Sequence, residues 1–146
     1  MKKNKNILTE IKPNGIGVIL INDPENKNAV SFEMNQEIIS ILLEYEKNKN
    51  VRVIILSAVG KIFCAGGNIK QMVAEGKALE PDKPIKIKNL PTHISDIRAI
   101  TYLIRNIQKP VIGAINGPAV GSGVGLAAAC DIRITNDKAK FAWVFA

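Results

Sequence analysis

Histidine is almost missing from this 146-residue chain: His93 is the only one. A His-rich metal site is therefore excluded, and any imidazole base would have to be that single side chain. Cysteine is scarce as well. Cys64 and Cys130 are too few for a disulfide framework and lack metal-ligand spacing, so a reducing compartment is the default. Aromatic residues make up 5%, which leaves little to stack on bases, and no nucleic-acid motif is present. The phosphate-binding G-x-x-x-x-G-K-[ST] pattern is absent. Gly121, Gly123 and Gly125 do not complete a dinucleotide fingerprint. Ser122 lacks the outer glycines of G-x-S-x-G. A membrane span is disfavoured too. The uncharged run Pro110 to Cys130 is about as long as a span, but it holds two prolines, Asn116 and five glycines, each costly inside a helix. The basic start MKKNKNILTE stops short of a signal-peptide apolar region. The chain reads as cytoplasmic.

What is present is a globular composition, 47% hydrophobic and 23% charged, at a length that suits one domain. Lys and Arg number 20 against 13 Asp and Glu, a formal charge of +7, which favours anionic partners. Part of that excess, Met1 to Lys5 and Lys83 to Lys88, reads as solvated loops. Ile7 to Lys12 and Ile16 to Ile21 predict two strands joined by the turn Pro13-Asn14-Gly15. Ser31 is placed to cap a helix, with Glu33 near its positive end. Met34, Ile38, Ile41, Leu42 and Tyr45 recur at helical spacing on one face. Val51 to Leu56 predicts a buried strand. Lys61 to Met72 is a loop with Gly66-Gly67 that leads into a short helix, and Glu75 to Leu90 has no period and reads as a mobile loop. Thr92 or Ser95 starts a helix that turns Ile94, Ile97, Ile100, Ile104 and Ile107 inward and ends at Pro110. Val111 to Ile115 is the next strand, Gly117 to Gly123 a turn, Val124 to Cys130 a helix and Ile132 to Thr135 a last strand. Alternating strands and helices predict an α/β fold with parallel pairings. Phe141, Trp143, Val144 and Phe145 gather close to the C-terminus, which reads as a domain cut short.

Two glycine clusters, Gly66-Gly67 and Gly117-Pro-Ala-Val-Gly121-Ser-Gly123, each follow a predicted strand and open a predicted helix. Glycine lets a ligand approach the backbone, and free N–H groups at a helix start favour negative charge. Two such loops on adjacent parallel strands would aim two donors at one oxygen, an oxyanion hole. The alternative is that the glycines serve only tight turns and close packing. Ser122 as a nucleophile would need His93, which sits between loop and helix and reads better as a surface or capping residue. Cys64 and Cys130 read as core.

Three blocks of the chain resemble a known family. Asn22-Asp-Pro-Glu-Asn-Lys-Asn-Ala-Val-Ser31, Lys61-Ile-Phe-Cys-Ala-Gly-Gly-Asn-Ile-Lys70 and the stretch from Lys109 to Ile134 look, in order and register, like signatures of the enoyl-CoA hydratase/isomerase (crotonase) superfamily. The resemblance runs from about Ile7 to Ala146. It implies a ClpP-like spiral of β-β-α units. It implies that the backbone N–H groups of Gly67 and Ser122 hold the thioester carbonyl of an acyl-CoA and stabilise the enolate formed on proton loss. One such donor is typically worth about 3 kcal/mol in kcat. Lys27, Ala29, Ala65, Gly67, Asn68, Ile69 and Lys70 match positions lining the coenzyme A site. The resemblance implies no metal and no cofactor, coenzyme A being part of the substrate, and neither a nucleic-acid nor a membrane partner.

The chain departs from the pattern in three places. Asn68 stands where Asp is usual. Gly125 stands where hydratases carry a catalytic Glu. The family continues beyond this length, with a second catalytic Glu and with helices that close the acyl pocket and build a homotrimer or dimer of trimers. The expectation is therefore residues 1–146 as an N-terminal crotonase-fold domain, incomplete at its C-terminus and inactive alone. The alternatives are a non-catalytic remnant of a split gene, or another crotonase chemistry such as dehalogenation, decarboxylation or thioester hydrolysis.

Overall fold

A computed structural model describes residues 2–3, 6–70 and 96–144. The order is β1 (Lys2–Lys3), β2 (Ile7–Ile11), β3 (Ile16–Ile21), a 3-10 turn (Pro24–Asn26), α1 (Phe32–Lys47), β4 (Val53–Ala58), α2 (Asp96–Asn106), β5 (Val111–Ile115), β6 (Ala119–Val120), α3 (Ser122–Ala129), β7 (Ile132–Thr135) and β8 (Phe141–Ala142). A mixed six-stranded sheet runs β1-β2-β3-β4-β5-β7, and β6 pairs with β8 in a small second sheet. β1, β2 and β3 are antiparallel neighbours. β4, β5 and β7 continue parallel to β3.

The hairpin forms where the turn chemistry predicts it. Lys12 N–H donates to Ile16 O and Gly15 N–H to Lys12 O, both at 2.9 Å. α1 starts where the Ser31 hydroxyl accepts the Met34 N–H at 3.2 Å, satisfying one of the donors that a helix start leaves open. Its far end is closed from another element: Lys109 Nζ donates to Asn48 O at 2.7 Å and also to Tyr45 O. Met34, Ile38, Leu42 and Tyr45 are fully buried as the spacing predicts, and Ile41 packs half-buried beside them. The buried Tyr45 hydroxyl donates toward Val18 O and Glu10 O, so its polar tip is not stranded in the core.

β3, β4 and β5 are covered by helices, with α1 packed on α2 and α2 on α3. Ile19, Ile21, Ile54, Leu56, Val111 and Ile115 from the strands meet Ile38, Ile100, Ile104 and Leu126 from the helices. α3 ends against two arginines. Arg105 Nη1 donates to Ala129 O at 3.4 Å, and Arg133 Nη1 donates to Ala128 O at 3.2 Å and to Cys130 O. Positive groups at that end complement the helix dipole. Arg105 also pairs with Asp131 at 3.2 Å, whose other oxygen accepts the Val111 N–H at 2.8 Å.

Several boundaries differ from the sequence expectation. Lys2–Lys3, expected as part of a solvated loop, is a short strand against β2, because the open edge of β2 offers unpaired backbone groups. β4 begins at Val53 rather than Val51. Val51 is instead buried beneath the start of the strand, its N–H bonded to Asn48 O. The turn from Gly117 to Gly123 contains β6, and α3 starts at Ser122 rather than Val124. Ile107 lies one residue past α2, half-buried on the core. The expected loop Glu75 to Leu90 falls outside the described residues, as do Lys83 to Lys88, Thr92, His93, Ile94, Ser95 and Phe145. No helix among the described residues is long and apolar enough to cross a membrane.

Candidate active site

Both glycine clusters lie at the carboxyl ends of adjacent parallel strands. β4 and β5 pair directly, Ile54 opposite Val111 and Leu56 opposite Gly113. Past the ends of these strands the chain forms three extended passes that run side by side. The central pass is Phe63 to Asn68. On one side it bonds to Lys27 through Val30: Ala65 N–H donates to Lys27 O at 3.1 Å, Val30 N–H to Gly66 O at 2.8 Å and Asn68 N–H to Val30 O at 3.0 Å. On the other side it bonds to Pro118 through Val120, with Phe63 N–H on Pro118 O at 3.0 Å and Val120 N–H on Cys64 O at 2.9 Å.

This ladder decides where the Gly67 amide points. The bridge between Val30 and Gly67 uses the Gly66 carbonyl and the Asn68 N–H, so in extended chain the N–H of Gly67 itself faces the opposite side. That side holds the start of α3. Gly66 adopts φ +102, where only glycine is unstrained. A Cβ there would lie 3.1 Å from Val120 O and 3.8 Å from the Ser122 N atom. Ser122 is the first residue of α3, and Gly121 before it, at φ +54, gives no side-chain cap. A helix start without a cap leaves N–H groups open and carries the positive end of the dipole. Among the described residues, neither the Gly67 nor the Ser122 N–H donates to a backbone acceptor.

The structure thus brings together most of the residues singled out in the sequence. Gly67 and Ser122 lie on facing segments, with Lys27, Ala29, Ala65 and Asn68 on the passes beside them. Lys27 and Ile69 are exposed, Ile69 at 72%. Lys70 is exposed as well, directly after Ile69 where the backbone turns helical. Gly125 sits inside α3, and a Cβ there would reach Thr101 of α2 at 3.7 Å. Asp131 is at the opposite end of α3, engaged with Arg105. No Asp or Glu occurs from Lys61 to Ala74 or from Gly117 to Cys130.

Cys64 and Cys130 are buried, as expected of core residues, at 0% and 1% exposure. Burial pushes both thiols up to about 11, so neither supplies a thiolate at neutral pH. Cys64 has a local structural part, its sulfur lying 3.4 Å from the Gly66 nitrogen. Among the described residues no group of three or more His, Cys, Asp or Glu is placed to hold a metal ion.

One residue important to the site is not among those the sequence singles out. Asn28 is fully buried. Its Nδ2 donates to Val59 O at 2.9 Å and Ile62 O at 2.7 Å, and its Oδ1 accepts the Asp23 N–H at 2.8 Å. It fastens the Lys27 pass to the loop after β4. Lys27 and Asn28 both have positive φ, a conformation in which Asn is enriched; that preference is the signal the sequence offered.

Comparison with known proteins bears on the family and the fold. The family model described as enoyl-CoA hydratase/isomerase matches residues 11–146. 4-Chlorobenzoyl coenzyme A dehalogenase-2 of an Arthrobacter species is 34% identical over 132 residues, 89% of this chain and 46% of the relative. The peroxisomal Delta(3,5)-Delta(2,4)-dienoyl-CoA isomerase of Arabidopsis thaliana is 34% identical over 125 residues, 84% of this chain and 45% of the relative. A crystal structure of enoyl-CoA hydratase from Bacillus anthracis superimposes with a TM-score of 0.80 at 29% identity, covering 94% of this chain and 50% of that one. The chain spans about half the length of the curated relatives it matches. With the crotonase fold and a family match across nearly its whole length, the chain belongs to the enoyl-CoA hydratase/isomerase family.

Proposed function

We propose that this chain supplies the thioester-activating half of an acyl-CoA isomerase. The observation that carries the reading is the pair of amides of Gly67 and Ser122, which meet no backbone acceptor among the described residues and lie on facing segments at the carboxyl ends of β4 and β5. Two N–H donors on one thioester oxygen stabilise the enolate that forms when a proton leaves the neighbouring carbon, and they do so without reorganising during the reaction. Lys27, Ala29, Ala65, Asn68, Ile69 and Lys70 lie along the passes next to that pair and form the coenzyme A side, where Lys27 and Lys70 bring positive charge to a phosphate-bearing ligand. Coenzyme A arrives as part of the substrate, and no metal or separate cofactor enters this chemistry. Neither glycine segment holds a carboxylate, and the proton-transfer carboxylate of this reading is one that the resemblance sets beyond these 146 residues. The chain alone therefore polarises a thioester and does not turn it over. Residues 1–146 act as the N-terminal part of a crotonase domain in the cytoplasm, and a whole domain assembles as a homotrimer or a dimer of trimers.

The test reads polarisation directly. The carbonyl stretch of an enoyl-CoA should move to lower frequency when it is bound to the chain. Ser122→Pro removes one donor at the first helical position, where proline is well tolerated. The variant should keep its helical signal and lose much of the shift. An unshifted carbonyl on the bound unmodified chain would refute the reading. Dehalogenation is the second reading, supported by the Arthrobacter relative at the same 34% identity as the isomerase. It draws on the same polarised carbonyl and separates from isomerisation by halide release.

A further inference from the structure

The opposite ends of the parallel strands carry a concavity. At the amino ends of the parallel strands, the β2–β3 turn and the chain between α1 and β4 enclose an open cleft of about 460 Å³, within the size range of small-molecule sites. Lys12, Lys49 and Arg52 line it, and no carboxylate is among its lining residues. All three cations are solvent-exposed. They reach one hollow from separate stretches of sequence, and gathering like charges without an acid is unfavourable unless an anion is present.

The walls are fixed before any ligand arrives. The turn is closed by the two hydrogen bonds between Lys12, Gly15 and Ile16, and Arg52 N–H ties the far wall to Gly15 O at 2.7 Å. The Arg52 guanidinium is itself anchored, Nη2 donating to Asn14 O at 2.9 Å. It lies across Gly15, where a Cβ would come within 2.8 Å of Arg52 Nε. A guanidinium has five N–H donors, so the anchored group retains donors in the planar fork that suits a phosphate. Ile11, 39% exposed, and Pro13 add an apolar wall.

We propose that this cleft binds a small organic phosphate, its dianion held by Lys12, Lys49 and Arg52 and its organic body laid on Ile11 and Pro13. The site is separate from the thioester site, because it lies at the other ends of the same strands, and it gives part of the +7 charge a use.

Titrating the chain with phenyl phosphate while following backbone amide resonances tests the proposal. Saturable shifts should appear at Lys12 to Gly15 and at Lys49 to Arg52. Inorganic phosphate should bind the same amides several-fold more weakly, because it leaves the apolar wall unused. Lys49→Gln and Arg52→Gln should each weaken phenyl phosphate by about threefold to tenfold, the range expected of a charged contact at an exposed site. Ile11→Ser should weaken phenyl phosphate and leave inorganic phosphate unchanged. Should Arg52→Gln not fold, Arg52→Lys keeps the charge, loses the fork and should bind more weakly than the unmodified chain. Equal binding of both phosphates would overturn the organic assignment. Shifts confined to Ala65 to Lys70 and Ser122 would place phosphate at the thioester site and overturn the proposal, while leaving the oxyanion reading intact.

Discussion

At the scale of single residues, the site depends on a few positions where the backbone admits no substitute. Gly117 and Gly123 of the second cluster, with Gly125 just after it, make a graded series. A Cβ at Gly117 would lie 2.0 Å from Lys61 O, and one at Gly123 would lie 2.4 Å from Cys64 O. Both obstacles are backbone, which cannot swing aside. At Gly125 the nearest neighbour is a Thr101 methyl at an ordinary 3.7 Å. Gly117→Ala and Gly123→Ala should each lower stability by several kcal/mol, on the order of ~3, because the segments must separate. Gly125→Ala should be neutral or gain up to about 1 kcal/mol from helix propensity. Urea unfolding of the three variants checks the series, and equal losses at all three would contradict the packing described. Asn28 carries a comparable share by another route. Its Nδ2 serves the Val59 and Ile62 carbonyls, and its oxygen serves the Asp23 N–H. Asn28→Ala should cost about 3 kcal/mol, since each buried group left unpaired costs about 1–3. The loss should also loosen the Lys27 pass, visible as faster hydrogen exchange at Ala65 and Val30.

At the scale of elements, the strands and helices were legible wherever an apolar period ran uninterrupted. Met34 to Tyr45 repeats at helical spacing, the β-branched run before Leu56 has strand length, and Pro13-Asn14-Gly15 is turn chemistry. The less legible elements are those made by pairing instead of by local preference. β6 and β8 are two residues each, too short for a period, and exist because Ala119 and Gly121 N–H groups bond to Lys140 and Ala142 carbonyls. β1 likewise depends on the edge of β2. The beginning of α3 was placed two residues late because Ser122 and Gly123 carry no helical signal of their own; the turn at Gly121 sets it. β7 carries a different lesson. It reads as a strand from Ile132 and Ile134, yet all four of its residues are exposed, those two at 53% and 61%. Phe141, Trp143 and Val144 follow at 47%, 61% and 64%. An apolar edge strand is a ready template for another chain. Concentrated solutions of the 146-residue chain should therefore associate, and Ile132→Lys with Ile134→Lys should reduce that association in light scattering while leaving β5 paired. A monodisperse monomer that these substitutions do not change would show that the apolar edge has no consequence.

At the scale of the whole molecule, the question is which reaction the proposed amide pair would serve. Adding water to an enoyl thioester takes two carboxylates, one to position the water and one to exchange a proton with the α carbon. Moving a double bond takes a single base that carries a proton between two carbons, with the enolate held meanwhile by the amides. The glycine clusters after β-branched runs were legible as two loops at strand ends, and the choice of Gly67 and Ser122 within them rests on the family resemblance. The sequence could not show that the two segments lie side by side, which depends on the ladder from Lys27 through Ala65 to Val120. On the helix that begins at Ser122, the resemblance sets Gly125 where hydratases carry one of these carboxylates, and α3 holds no acid. Asp131 lies past the far end of α3, committed to Arg105 and the Val111 N–H. A polypeptide in which this chain continues into a second half like that of its relatives should therefore shift double bonds in acyl-CoAs and hydrate them poorly, and the 146 residues alone should do neither. Gly125→Ala should leave isomerisation within about twofold, because a methyl group at 3.7 Å from Thr101 disturbs little. Gly125→Glu returns a carboxylate to the same helix turn and should raise hydration by about tenfold or more, within the range that a placed general base contributes. Product analysis of one substrate, separating the positional isomer from the hydroxyacyl thioester, reads both outcomes. Efficient hydration by the unmodified extended polypeptide would defeat the assignment, because it would require a second water-activating group that neither glycine segment contains.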